Sequence, residues 1–143
     1  MVLNLHIILQ SPPNNTTYSL QKGSGNNYQV EQVQTSNGTD LHFTLTVVLK
    51  DGEPTDDLPD FKGPFVQGPR GGRFIYLDIG SYAGANGQWS GRLKIPLTGI
   101  TWQLVSEINA APDKLLSTKV PGTGKNGLPN CATVKPFLGW RLS

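Results

Sequence analysis

Two histidines, one cysteine and a run of glycines around a lysine are the residues of this 143-residue chain with the plainest capacity for chemistry. His6 and His42 each lie on the polar side of an alternating segment. In the first, Leu3, Leu5, Ile7 and Leu9 oppose Asn4, His6, Ile8 and Gln10; in the second, Leu41, Phe43, Leu45, Val47 and Leu49 oppose His42, Thr44 and Thr46. A spacing of two marks a half-buried strand. If these strands pair, the imidazoles meet. With Asp78 or Glu31 they would then form an acid–base or metal-binding set, since imidazole and carboxylate are the common ligands for both tasks. Each histidine stands alone in sequence, however, so rings that are solvated or line a barrel are the simpler reading.

The stretch Val120-Pro121-Gly122-Thr123-Gly124-Lys125-Asn126-Gly127 suggests a phosphate cradle. A P-loop requires Gly, four residues, then Gly-Lys-Ser or Gly-Lys-Thr. Here Asn126 follows Lys125, and Lys119 occupies the position of the first glycine. Gly122, Gly124 and Gly127 do match Gly-x-Gly-x-x-Gly, but that fingerprint must open a helix within a βαβ unit, and Pro129 with Asn130 follows instead. The stretch reads as a wide hairpin loop, with Lys125 available to a ligand.

A second loop, Phe61 to Leu77, packs two Gly-Pro pairs and the cations Lys62, Arg70 and Arg73 among aromatic residues. Rings stack, and guanidinium forks bind carboxylate or phosphate. Against this stands a kinked strand feeding a hairpin with Gly71-Gly72 at its tip. Trp89 and Arg92, after the Gly84–Gly87 turn, could face the same ligand; Trp102 and Trp140 read as core or rim packing. A catalytic thiolate wants a basic neighbour or a helix N-terminus; Lys125 is near Cys131 in sequence, but a lone structural cysteine is the commoner case, and no Gly-x-Ser-x-Gly elbow occurs. Carboxylates are few, and Asp40, Asp78 and Glu107 stand outside obvious turns and the acidic loop Asp51–Asp60.

The elements that must position these groups are short. Charged residues make up 15% of the chain, against about 25% in a typical domain, while glycine (17) and proline (11) are abundant. Strands are expected around Tyr18–Gln21, Tyr28–Val33, Phe74–Ile79 and Leu93–Leu97, and more weakly at Leu115–Val120, Ala132–Lys135 and Phe137–Leu142. Turns fall at Pro12-Pro13, Lys22–Asn27 and Ser36–Thr39. One helix is expected, on Ile100, Leu104 and Ile108, capped by Thr98 or Thr101 and ended by Pro112. The expectation is a single mainly β domain over 1–143: an antiparallel barrel of about seven to nine short strands, or a sandwich, with one α-helix near 100–110.

Composition also excludes classes. Twelve Lys or Arg against ten Asp or Glu is too balanced for a nucleic-acid footprint. No run of about 18 apolar residues exists to span a membrane. A lone cysteine and no leader segment give a cytoplasmic expectation, and the Asn14, Asn15 and Asn37 sequons read as accidents of composition.

The segments Phe61–Gly80, Trp89–Trp102 and Val120–Pro136 resemble an uncharacterised bacterial family, a domain of unknown function of about this length. The blocks carrying the likeness are Gly-Pro-Phe-Val-Gln-Gly-Pro, Trp-Ser-x-Arg and Pro-Gly-Thr-Gly-Lys. The resemblance implies membership and brings no catalytic residues with it. The function expected from the residues is a small binding domain for a polar or anionic small molecule or peptide, using Lys62, Arg70, Arg73, Trp89, Arg92 and Lys125, with no cofactor. The alternatives are an enzyme built on His6, His42 and Asp78 in a barrel mouth, and a protein-interaction domain acting as a homodimer.

Overall fold

The computed structural model describes residues 1–23, 28–50, 58–68, 73–84, 87–135 and 137–142. The expected turn at Lys22–Asn27, the acidic loop, the Gly71-Gly72 tip and the Gly84–Gly87 turn lie wholly or partly outside them. In chain order the elements are β1 (Val2–Gln10), β2 (Thr16–Lys22), β3 (Gln29–Thr35), β4 (Leu41–Leu49), β5 (Phe61–Lys62), β6 (Phe74–Gly84), β7 (Gly87–Pro96), α1 (Trp102–Ala110), β8 (Leu116–Pro121) and β9 (Arg141–Leu142).

Alternation decides how these strands pack. Leu3, Leu5, Ile7 and Leu9 of β1 and Phe43 and Val47 of β4 are fully buried, as are Tyr18 and Leu20 of β2, Ile75, Leu77 and Ile79 of β6, and Leu93 and Ile95 of β7. These inner faces belong to two sheets that share one core. One has the order β5-β4-β1-β8-β9, the other β3-β2-β6-β7. The fold is therefore a sandwich, and the barrel expectation is corrected. The ladders are antiparallel with one exception: β1 and β8 run parallel, with Leu5 opposite Leu116 and Leu9 opposite Val120.

The seam between β3 and β4 shows why the barrel does not close. Gln32 has a left-handed φ of 55°, and the β2–β3 register shifts between Tyr18 and Leu20. A bulge bends a strand away from further pairing. Side-chain amides take over where the ladder would have continued. Gln32 accepts from the Thr44 N–H at 3.2 Å and donates to the Thr44 carbonyl at 2.5 Å, and Gln34 donates to the His42 carbonyl at 2.8 Å.

At the opposite edge the chain after β8 folds back along β7. Lys94 N–H donates to the Ala132 carbonyl at 3.4 Å, and Val134 N–H to the Lys94 carbonyl at 3.3 Å. The expected strand Ala132–Lys135 is thus a single bridge, Lys94 to Thr133. Trp140, buried, donates its indole N–H to the Pro96 carbonyl at 3.1 Å. Helix α1 carries the chain between the two sheets, with Val105 and Ile108 buried and Thr101 accepting from the Leu104 N–H at its start. Among the described residues no helix is long and apolar enough to cross a membrane.

Candidate functional site

The outer face of the four-stranded sheet carries a groove of about 990 Å³, lined by Tyr28, Asp78, Ser90, Arg92, Lys94 and Cys131 among others. Register builds it. Tyr76 stands opposite Lys94 and Asp78 opposite Arg92, so alternate residues of β6 and β7 present rings, a carboxylate and cations on the side away from the core. The Arg92 guanidinium lies 4.8 Å from the Tyr76 ring centre and 5.6 Å from that of Tyr28; the Lys94 ammonium is 5.8 Å from Tyr76 and 6.0 Å from Phe74. A ring face attracts a cation through its quadrupole without neutralising it. Among the described residues neither Arg92 nor Lys94 forms an ion pair, so both charges stay available. The Tyr28 hydroxyl reaches both Asp78 oxygens, at 3.4 and 3.5 Å, which turns the carboxylate toward β3. Leu128 and Cys131 form the far wall, placed there by the pairing of the following residues with β7.

The residues singled out in sequence do not all gather here. Arg92 lines the groove, and Asp78 does too. Arg73 is held elsewhere, ion-paired with Asp60 at 2.9 Å and donating to the Phe61 carbonyl, so it fastens the entry to β6. Lys62 is exposed on β5, the edge strand of the five-stranded sheet, opposite Val48 and away from the groove. Lys125 is exposed in a three-residue 3-10 turn, Lys125–Gly127. Trp89 pairs through its backbone with Tyr82; its ring, like Arg70, lies outside the described residues. Of the other tryptophans, Trp140 is core and Trp102 packs against it.

The glycine-rich loop closes on itself. Gly122 N–H donates to the Gln10 carbonyl at 2.8 Å, Gly124 to Leu128 at 2.7 Å and Leu128 to Lys125 at 3.1 Å. Positive φ at Asn126 (58°) and Gly127 (71°) makes the turn. Those amides face carbonyls inside the fold, as in an ordinary tight connection.

The histidines meet on the opposite side of the sandwich, on the outer face of the five-stranded sheet. β1 pairs with β4 so that Ile8 opposes His42 and His6 opposes Thr44, which makes the two rings diagonal neighbours. His6 Nε2 lies 2.9 Å from His42 Nδ1, and the rings stack with centres 5.1 Å apart. Ser117 Oγ is 3.4 Å from His6 Nδ1. Burial first, and then the neighbouring His42, lower the His6 pKa from its ordinary value. Asp78 belongs to the other sheet's outer face and does not join them. Among the described residues no group of three or more His, Cys, Asp or Glu side chains could hold a metal ion.

Sequence reasoning missed Tyr28, Tyr76 and Lys94. The signal was present: Phe74, Tyr76 and Asp78 fall on one side of a strand, and Arg92 and Lys94 on one side of the next. Phe74–Ile79 is apolar on both faces except for Asp78, so its alternation does not mark which row faces outward. Comparison with curated proteins finds no match, and comparison with solved structures finds none either. Residues 3–143 match a family of unknown function, DUF5990, and the chain belongs to that family.

Proposed function

We propose that this domain is a binding module for a small anionic molecule, held in the groove on the outer face of the four-stranded sheet. The observation that carries the reading is the placement of Arg92 and Lys94 across the Tyr28, Tyr76 and Phe74 rings, unpaired by any carboxylate among the described residues. A guanidinium that rests on a ring keeps its donor fork for a carboxylate or phosphate. The half-buried tyrosine and phenylalanine rings beside it suit a ligand with a flat or apolar part. Asp78 supplies an acceptor for a ligand hydroxyl. The site needs no moving parts, since alternate positions of two paired strands hold every group except Tyr28 and the far wall. In this reading the domain works in the cytosol, where a single thiol such as Cys131 stays reduced.

A thermal-shift panel of small carboxylates and phosphates against neutral analogues tests it. Anions are expected to raise the melting temperature of the native chain, and Arg92→Ala to weaken binding by more than about tenfold, the loss expected when one charge-assisted contact goes. The melting temperature without ligand should barely change. A native chain indifferent to the whole panel, or an Arg92→Ala variant that binds as well as the native chain, overturns the reading.

A further inference from the structure

The edge of the five-stranded sheet carries a second site, independent of the groove. Strand β8 pairs with β9 for two residues only, Leu116 with Leu142 and Ser117 with Arg141. Alternate residues of a strand send their N–H and C=O to opposite sides. Gly122 N–H donates to the Gln10 carbonyl, so the even-numbered positions of β8 face β1, and Lys119 and Pro121 face the other way. Pro121 has no N–H, and its carbonyl accepts from the Asn130 side-chain amide at 3.0 Å. The chain before β9 does not continue the ladder. Its Gly139 carbonyl accepts from the Thr118 hydroxyl at 3.0 Å, and Trp140 is fastened to the Pro96 carbonyl. Among the described residues the Lys119 N–H and C=O therefore gain no backbone partner on this side. They open on a hollow of about 350 Å³ lined by Ile8, Ser117, Lys119, Leu138, Gly139 and Arg141 among others.

Charge and shape define what fits. Ile8 stands opposite Lys119, and Leu138, 76% exposed, supplies a second aliphatic wall from the segment before β9. Lys119 and Arg141 are exposed, and neither forms an ion pair among the described residues. We infer that this hollow binds the carboxylate end of a single aliphatic residue, either an N-acyl amino acid or the C-terminus of a peptide. The carboxylate accepts from the Lys119 N–H and from the Arg141 guanidinium. The ligand's own amide N–H donates to the Lys119 carbonyl, and its side chain lies between Ile8 and Leu138. This is strand addition to a sheet edge in its smallest form. Pro121 sets the limit of one residue, because the next outward position has no N–H and an engaged carbonyl. The hollow has the volume of about a dozen waters of the liquid, which suits one acylated residue.

The test is an NMR titration of the full chain with N-acetyl-leucine and with an acetylated peptide ending in leucine, each compared with its carboxamide. Both acids are expected to shift the Lys119 amide resonance, which reports this edge and not the groove, and which needs no variant to fold. The carboxamides should bind more weakly by more than about tenfold, having lost the charge. Arg141→Ala should weaken binding of the acids by more than about tenfold. Leu138→Ser, at a position already exposed, should weaken it by a smaller factor. A peptide that binds tighter than N-acetyl-leucine assigns the ligand to a chain terminus; equal affinities assign it to a free acyl amino acid. If neither acid moves the Lys119 amide, if the carboxamides bind as well, or if Arg141→Ala binds as tightly as the native chain, the proposed site is wrong.

Discussion

The two outer faces of the sandwich stand on similar inner ones and differ in nearly every other respect. Beneath both lie rows of aliphatic and aromatic side chains at every second position. Above the four-stranded sheet stand Phe74, Tyr76, Asp78, Arg92 and Lys94, and the chain after β8 raises a wall beside them. Above the middle of the five-stranded sheet stand Asn4, His6, His42, Thr44, Thr46 and Ser117, with no carboxylate, lysine or arginine among them. A smaller hollow of about 350 Å³ forms at its edge, lined by Ile8, Lys119, Leu138 and Arg141 among others. The inner rows are dictated by burial, worth about 25 cal/mol per Å² of apolar surface. The outer rows are under no such demand. One face collects full charges and rings; the other collects two hydrogen-bonded imidazoles among short polar side chains.

The comparison breaks most severely if the shared floor is removed. Phe43→Ala deletes a fully buried ring under the histidines and should cost about 3–5 kcal/mol in urea unfolding. Because the core is continuous, groove and histidine pair should fail in one transition. Two separate transitions would show that the sheets are independent and the comparison misconceived. Gln32→Ala probes the seam and should cost about 0.5–1 kcal/mol. Its sharper signature is faster hydrogen exchange at the Thr44 amide, which loses its acceptor, with the Lys94 amide across the sandwich unchanged. The smallest effect is the pH dependence of the histidine face. With its folded pKa below the ordinary value of 6.5, His6 is protonated in the unfolded chain first as pH falls. The unfolded state then binds more protons, and stability declines as pH drops below that value, levelling off once the folded His6 also titrates. His6→Gln should flatten this part of a stability-against-pH curve, and an unchanged curve would mean that the ring is no more desolvated than a free one.

Much of the frame was legible because burial alternates along β1 and β4 over nine residues each, and the sequence follows it within both strands apart from Val2, Ile8 and Val48. The helix was legible too: Thr101 caps it, and Pro112 follows its end. The parallel pairing of β1 with β8 was not, since alternation says which face a residue takes and nothing about which strand lies beside it. Nor was the sandwich distinguishable from a barrel. That choice turned on one left-handed residue, Gln32, and on glutamine amides whose reach has no periodic signature. The same gap scattered the site residues. Arg73 and Arg92 look alike in sequence, yet Asp60 engages one and tyrosine rings flank the other, and those partners are set by tertiary register.

Gly122 closes the parallel pair. A Cβ there would sit 2.7 Å from the Gln10 carbonyl oxygen and 2.7 Å from the Pro12 Cα, so the exits of β1 and β8 are clamped backbone to backbone. β1 is therefore an interior strand of its sheet, and its second neighbour, β8, lies about a hundred residues further along the chain. Contacts this distant along the chain are slow to form. Until β8 docks, β1 keeps one edge unpaired, and an unpaired edge is a template for another chain, which makes that interval of folding the period when this domain is most open to association.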